Sequence, residues 1–229
     1  MTNLQLYNNN LSGAIPAELG NLTKLTSLWL YSNSLSGAIP PELGNMTNLT
    51  SLQLYGNNLS ESIPAELGNL TNLKDLLLYS NSLSGTIPSE LGNMTSLQDL
   101  RLRNNNLSGT IPPELGDLSN LTNLQLNENS LSGTIPPELG NLTNLHDLRL
   151  DNNTLSGCFA AELKNLCSVA FISFINNPDL PGGGDFEAFC LDDTGVCSTD
   201  DCQTDLVIND MPIIKGTYRS DNTLSLIHI

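Results

Sequence analysis

Leucines recur along this chain on a fixed step. Leu4, Leu28, Leu52, Leu76, Leu100, Leu124 and Leu148 are each 24 residues apart, as are Leu19, Leu43, Leu67, Leu91, Leu115, Leu139 and Leu163. Asn9, Asn33, Asn57, Asn81, Asn105, Asn129 and Asn153 keep the same step. A period this strict, without insertions, means that each unit contacts only its neighbours and that the chain coils into a solenoid. Within one unit the apolar positions are Leu4, Leu6, Leu11, Ile15, Leu19, Leu22 and Leu25. Leu4 and Leu6 alternate with polar residues, the spacing of a strand with one buried face. Pro16 removes a backbone donor, and Gly13 and Gly20 punctuate turns, so no long helix fits in the rest of the unit. The pattern predicts short strands stacked in a parallel sheet, with turns and 3₁₀ pieces behind. Each buried Leu or Ile contributes about 1.5–3 kcal/mol, and a single unit cannot bury its own face.

The repeated Asn falls where the strand ends and the chain turns inward. Backbone groups there need partners, and an Asn amide offers both a donor and an acceptor, so the column is read as a structural ladder. The Glu column from Glu18 to Glu162 is read as a solvated face.

These residues together, L-x-x-L-x-L-x-x-N-x-L-S-G-x-I-P-x-x-L-G-N-L-x-x, resemble the plant-type leucine-rich repeat. That form occurs in receptor-like kinases, receptor-like proteins and polygalacturonase-inhibiting proteins, and similar arrays occur in algae and diatoms. The match runs over residues 1–180, about seven units and a degraded eighth. The resemblance implies an α/β solenoid: a right-handed superhelix with a concave parallel sheet, and often a second sheet near the S-G-x-I-P segment. Two departures stand out. Glu61 replaces the Gly of "LSG", and "CFAAELKN" replaces the I-P and L-G pairs of the seventh unit.

Charge narrows the partners. The chain has 229 residues and a formal charge of −16. Residues 1–178 carry 14 acids and 6 bases, and residues 179–229 carry 10 acids and 2 bases, so the tail is denser in negative charge. Phosphate binding needs clustered Lys and Arg, which excludes nucleic acid and anionic membrane as direct partners. The longest apolar stretch, "VAFISFI" at 169–175, is too short to span a bilayer. No signal peptide is visible, and Met1 stands inside a repeat, so a fragment of a longer gene is expected. Residues 181–223 read as an acidic, cysteine-containing cap and tail. The last six, "LSLIHI" at 224–229, match a reading of the transposase end used in sequencing libraries, and are expected to be adapter-derived.

All five cysteines come late: Cys158, Cys167, Cys190, Cys197 and Cys202. No C-x₂-C pair and no neighbouring His favours zinc, so these are disulfide candidates with one thiol left over and the pairing open. The resemblance implies that they seal the last edge of an extracellular array. Sequons lie at Asn10, Asn21, Asn45, Asn48, Asn58, Asn69, Asn93, Asn106, Asn120, Asn141 and Asn152. The repeat generates most of them automatically, so they permit glycosylation and barely argue for it.

Specificity belongs to the positions that change between units. Strand residues pointing away from the core line the concave face. One column reads Tyr7, Tyr31, Tyr55, Tyr79, Arg103, Asn127, Asp151; its neighbour includes Trp29, Leu77, Arg101 and Arg149. Four tyrosines at strand spacing would form a platform about 14 Å long, or would stack across strands and stabilise the sheet instead. Exposed aromatics beside Arg dominate interface energetics, and aromatic platforms also suit sugar rings. Arg101, Arg103 and Arg149 are expected to face Asp99, Asp147, Asp151 and Glu128. The expected function is extracellular recognition of a protein, peptide or glycan on this face. No nucleophile, base and orienting group can be assembled, so no catalysis, cofactor or metal is expected. The alternative is a surface-active, ice-binding or purely structural array built on Thr23, Thr47, Thr71, Thr95 and Thr143.

Overall fold

The computed structural model describes residues 2–193 and 195–197. Eight three-residue strands stand in one parallel sheet in chain order: Asn3–Gln5, Ser27–Trp29, Ser51–Gln53, Asp75–Leu77, Asp99–Arg101, Asn123–Gln125, Asp147–Arg149 and Phe171–Ser173. The register is one repeat per strand, Leu28 opposite Leu52 and Leu52 opposite Leu76. Behind each of the first seven strands the chain passes through a short second-sheet segment and a 3₁₀ turn, from Ala17–Asn21 behind the first to Ala161–Leu166 behind the seventh. The solenoid expected from the period is therefore the architecture.

The second sheet forms in two pieces. Ser12–Gly13, Ser34–Gly37 and Asn58–Leu59 make one, and Ser84–Gly85, Asn106–Gly109, Ser130–Gly133 and Thr154–Leu155 make the other. The break follows the coil that carries Glu61. Each 3₁₀ turn up to the sixth begins after a proline in extended conformation, where the missing N–H costs no helical bond. The leucine and isoleucine columns fill the interior as a single continuous core.

The asparagine ladder does what an amide at that corner can do. Asn57 Nδ2 donates to the carbonyls of Leu54 in its own coil (3.0 Å) and Leu30 in the preceding one (3.1 Å), while its Oδ1 accepts from Leu35 N–H (3.0 Å). Asn105 and Asn153 repeat this pattern. Asn177 carries it one coil further than the sequence columns were followed, bonding Leu150, Phe174 and Leu155.

The end of the solenoid is closed by a helix, Phe186–Asp192, and two disulfides, Cys158–Cys197 and Cys167–Cys190. Phe159, Phe174, Phe186 and Phe189 pack together beneath it. Lys164 stands where earlier coils have glycine. Its ammonium bonds the Phe189 and Cys190 carbonyls, lies over the Phe189 ring and pairs with Asp193. Cys202 and residues 224–229 lie outside the described residues. Among the described residues, no helix is long and apolar enough to cross a membrane.

Candidate functional site

The outward positions of the main sheet form one surface, because strand side chains alternate in direction. Its columns change from coil to coil while the core columns do not. The N-terminal part is the tyrosine ladder. Neighbouring rings of Tyr7, Tyr31, Tyr55 and Tyr79 lie 4.5, 4.4 and 4.3 Å apart, with planes within 9° of parallel. Arg103 closes the ladder, its guanidinium 4.4 Å above the Tyr79 ring. Of the two roles expected for this column, packing between neighbouring strands is the one the ring geometry displays. The rings are half-buried and turn their faces on one another, because strand spacing nearly equals stacking distance. The interior rings therefore have both faces occupied. Burial lifts the Tyr55 phenol well above its ordinary value, and Tyr79 and Tyr31 add to the rise.

Beside the ladder, Trp29 Nε1 and Gln53 Nε2 both donate to Ser51 Oγ at 3.1 Å. Burial raises the pKa of the Asp75 carboxyl, partly opposed by a hydrogen bond from Ser51. Leu77 lies half-buried in the same column as Trp29.

The middle of the face is an ordered polar network. Arg101 grips Asp99 with two bonds of 2.8 Å, and that hydrogen bonding holds its guanidinium more firmly protonated. Arg103 Nε donates to Gln125 Oε1 (3.2 Å), and Gln125 Nε2 donates to Asp147 Oδ2 (2.6 Å). Arg149 Nε pairs with Asp147 Oδ1 (2.9 Å). Arg103 differs from the other two arginines: among the described residues it forms no carboxylate pair. The expected partnership with Glu128 does not occur, since Glu128 occupies an exposed left-handed turn (φ 56°) beyond the strand. Asp151 instead accepts from Asn152 (2.7 Å).

Asn127 also departs from expectation. It is only 6% exposed, and its Oδ1 is buried without a hydrogen-bond partner. Sequence spacing placed it on the open face, whereas the structure buries it.

Two residues of this face escaped the sequence reading. One further step along the columns gives Phe171 and Ile175, which are 63% and 57% exposed. Ile175 borders a cleft of about 530 Å³ between the last strand and the cap, lined also by Phe186 and Gly184. The signal was available in the 24-residue step, but "VAFISFI" reads by composition as buried. A larger groove, about 840 Å³, runs along the opposite side between an Ile-Pro floor and a rim of Glu61, Glu66, Glu90 and Glu114. Apart from Glu61, its lining varies only among small residues, Ala38, Ser62, Thr86 and Thr110 in one column and Pro41, Ala65, Ser89 and Pro113 in another, so it discriminates less than the main sheet does. The sequon asparagines and the threonine row are all exposed.

A "Leucine-rich repeat region" family model matches residues 66–174, and a "Leucine Rich Repeat" model matches residues 1–22, 24–46 and 48–70. Comparison with curated proteins finds no match. Among solved structures, a TDR receptor is 36% identical with a TM-score of 0.73, covering 77% of this chain and 30% of its own. The Arabidopsis receptor kinase HAESA, in complex with the peptide hormone IDA and the co-receptor SERK1, is 38% identical with a TM-score of 0.69, covering 78% and 32%. A leucine-rich repeat protein of Leptospira interrogans is 36% identical with a TM-score of 0.64, covering 76% and 43%. The chain thus spans about a third of the length of these two plant receptors.

Proposed function

The chain belongs to the leucine-rich repeat family, with repeats of the plant type, and we propose that it is an extracellular recognition module holding an extended peptide along its main sheet. The observation that carries this reading is the order of the variable face. Aromatic edges come first, then Arg101 and Arg103, then a polar network, then exposed Phe171 and Ile175. An extended peptide presents successive side chains to such a strip, and Arg103 offers guanidinium donors to an anionic group on it. The similarity to a peptide-bound receptor supports the same class of ligand. A sugar is less well served, because the interior tyrosine faces are occupied by one another. The threonine row of the surface-active alternative varies little between coils and gives no such gradient. The two disulfides support an oxidising, extracellular setting.

The test is to select binders from a random peptide library on the immobilised chain and titrate one by calorimetry. Arg103→Ala and Tyr55→Ala are expected to weaken binding about 30-fold, the size of an interface hot spot near 2 kcal/mol. Glu66→Ala, on the opposite side, should leave it unchanged. Equal affinity for all three variants, with each still folded by circular dichroism, overturns the reading.

A further inference from the structure

We propose that the Tyr7–Tyr79 ladder is a site of oxidative cross-linking, at which neighbouring tyrosines are joined carbon to carbon and adjacent coils are stapled together. The inference goes beyond ligand recognition and rests on the spacing of the rings. Tyr31, Tyr55 and Tyr79 are held in register at 4.4 and 4.3 Å, nearly parallel, by coils that cannot drift apart without breaking the sheet. Two groups fixed at this separation react as though at very high local concentration. The tyrosines are only partly buried, so an oxidant can reach them.

Competing electron donors are few nearby. Met46 and Met94 are fully buried, and Cys158, Cys167, Cys190 and Cys197 are already oxidised to disulfides. Trp29, 6.2 Å from Tyr7, is the one other readily oxidised ring beside the ladder among the described residues. The disulfides also mark a compartment in which oxidants are available.

The chemistry balances with a peroxidase using hydrogen peroxide. Each of two tyrosines gives up one electron and its phenolic proton, leaving a phenoxyl radical whose spin density is high on the carbons beside the hydroxyl-bearing carbon. Two such carbons form a bond. The hydrogen on each coupled carbon leaves as a proton, and each oxygen regains one, restoring both phenols. The net change is the loss of two hydrogens from the pair, and one hydrogen peroxide becomes two waters.

The experiment treats the dilute, full chain with a peroxidase and limiting hydrogen peroxide. Blue dityrosine fluorescence should appear in the monomer fraction. Tryptic peptides 25–74 and 75–101, which carry Tyr55 and Tyr79, should be recovered joined and two hydrogens short. The double variant Tyr31→Phe/Tyr79→Phe keeps the stack of rings but leaves no two tyrosines adjacent in the ladder, and should lose the intramolecular product. So should the unaltered chain in denaturant. The proposal is overturned by no product at all, by cross-links only between molecules, by links through Tyr218 alone, or by a yield that survives the double variant or denaturation.

Discussion

Glu61 occupies a left-handed backbone conformation, φ 64°, at the position where Gly13, Gly37, Gly85, Gly109 and Gly133 stand in other coils. Glycine reaches that region without steric cost, whereas a side chain there is strained by about 1–3 kcal/mol. Glu61→Gly should therefore stabilise the chain by about 1 kcal/mol in urea titration, after the entropy that glycine adds to the unfolded state. A loss of stability would show that the Glu61 side chain makes a compensating contact. Tyr55 offers a second test at this scale. Its pKa is raised above 10.0 by burial, so above that pH the unfolded chain has released a proton that the folded chain still holds. The stability from this group is complete below about pH 10 and falls as pH rises beyond it. Tyr55→Phe should flatten the fall in melting temperature above about pH 10, measured between about pH 10 and pH 12. Equal slopes for the two proteins would contradict the assignment.

At the scale of the element, what separates one coil from the next is a glycine. A Cβ placed on Gly68 would run into the Glu90 carbonyl of the following 3₁₀ turn, and Gly44 and Gly92 meet the same obstacle. Gly68→Ala should cost about 1–3 kcal/mol, as overpacking against backbone does. Asn105→Ala should cost a similar amount, since it orphans the buried Leu83 N–H, at about 1–3 kcal/mol, and takes one of two amide donors from each of the Leu78 and Leu102 carbonyls, which keep Asn81 and Asn129. Urea denaturation of both variants checks this; changes within about 0.5 kcal/mol would mean that the coils pack less tightly than described. The sequence made these columns legible because a repeat forces identical residues into identical surroundings. It could not show why Lys164 breaks the glycine column: no further 3₁₀ turn of this kind follows, and the ammonium instead reaches the Phe189 and Cys190 carbonyls of the cap. Nor could periodicity show the burial of Asn127 or the pairing of four cysteines. Those depend on side-chain torsions and on packing between units, which spacing alone does not encode.

For the whole molecule, the division between fixed and variable positions is the central claim. The fixed leucines, asparagines and glycines are committed to stacking, while the variable residues gather on one face of one sheet. That face reads as a graded strip from Tyr7 to Ile175, and the acidic groove on the other side changes little along its length. Hydrogen exchange with and without a selected peptide tests the claim most directly. Added protection is expected only in the main-sheet strands and their flanking residues, strongest from Tyr55 to Arg103. Protection centred instead on the Glu66, Glu90 and Glu114 rim, with the main sheet unchanged, would contradict it.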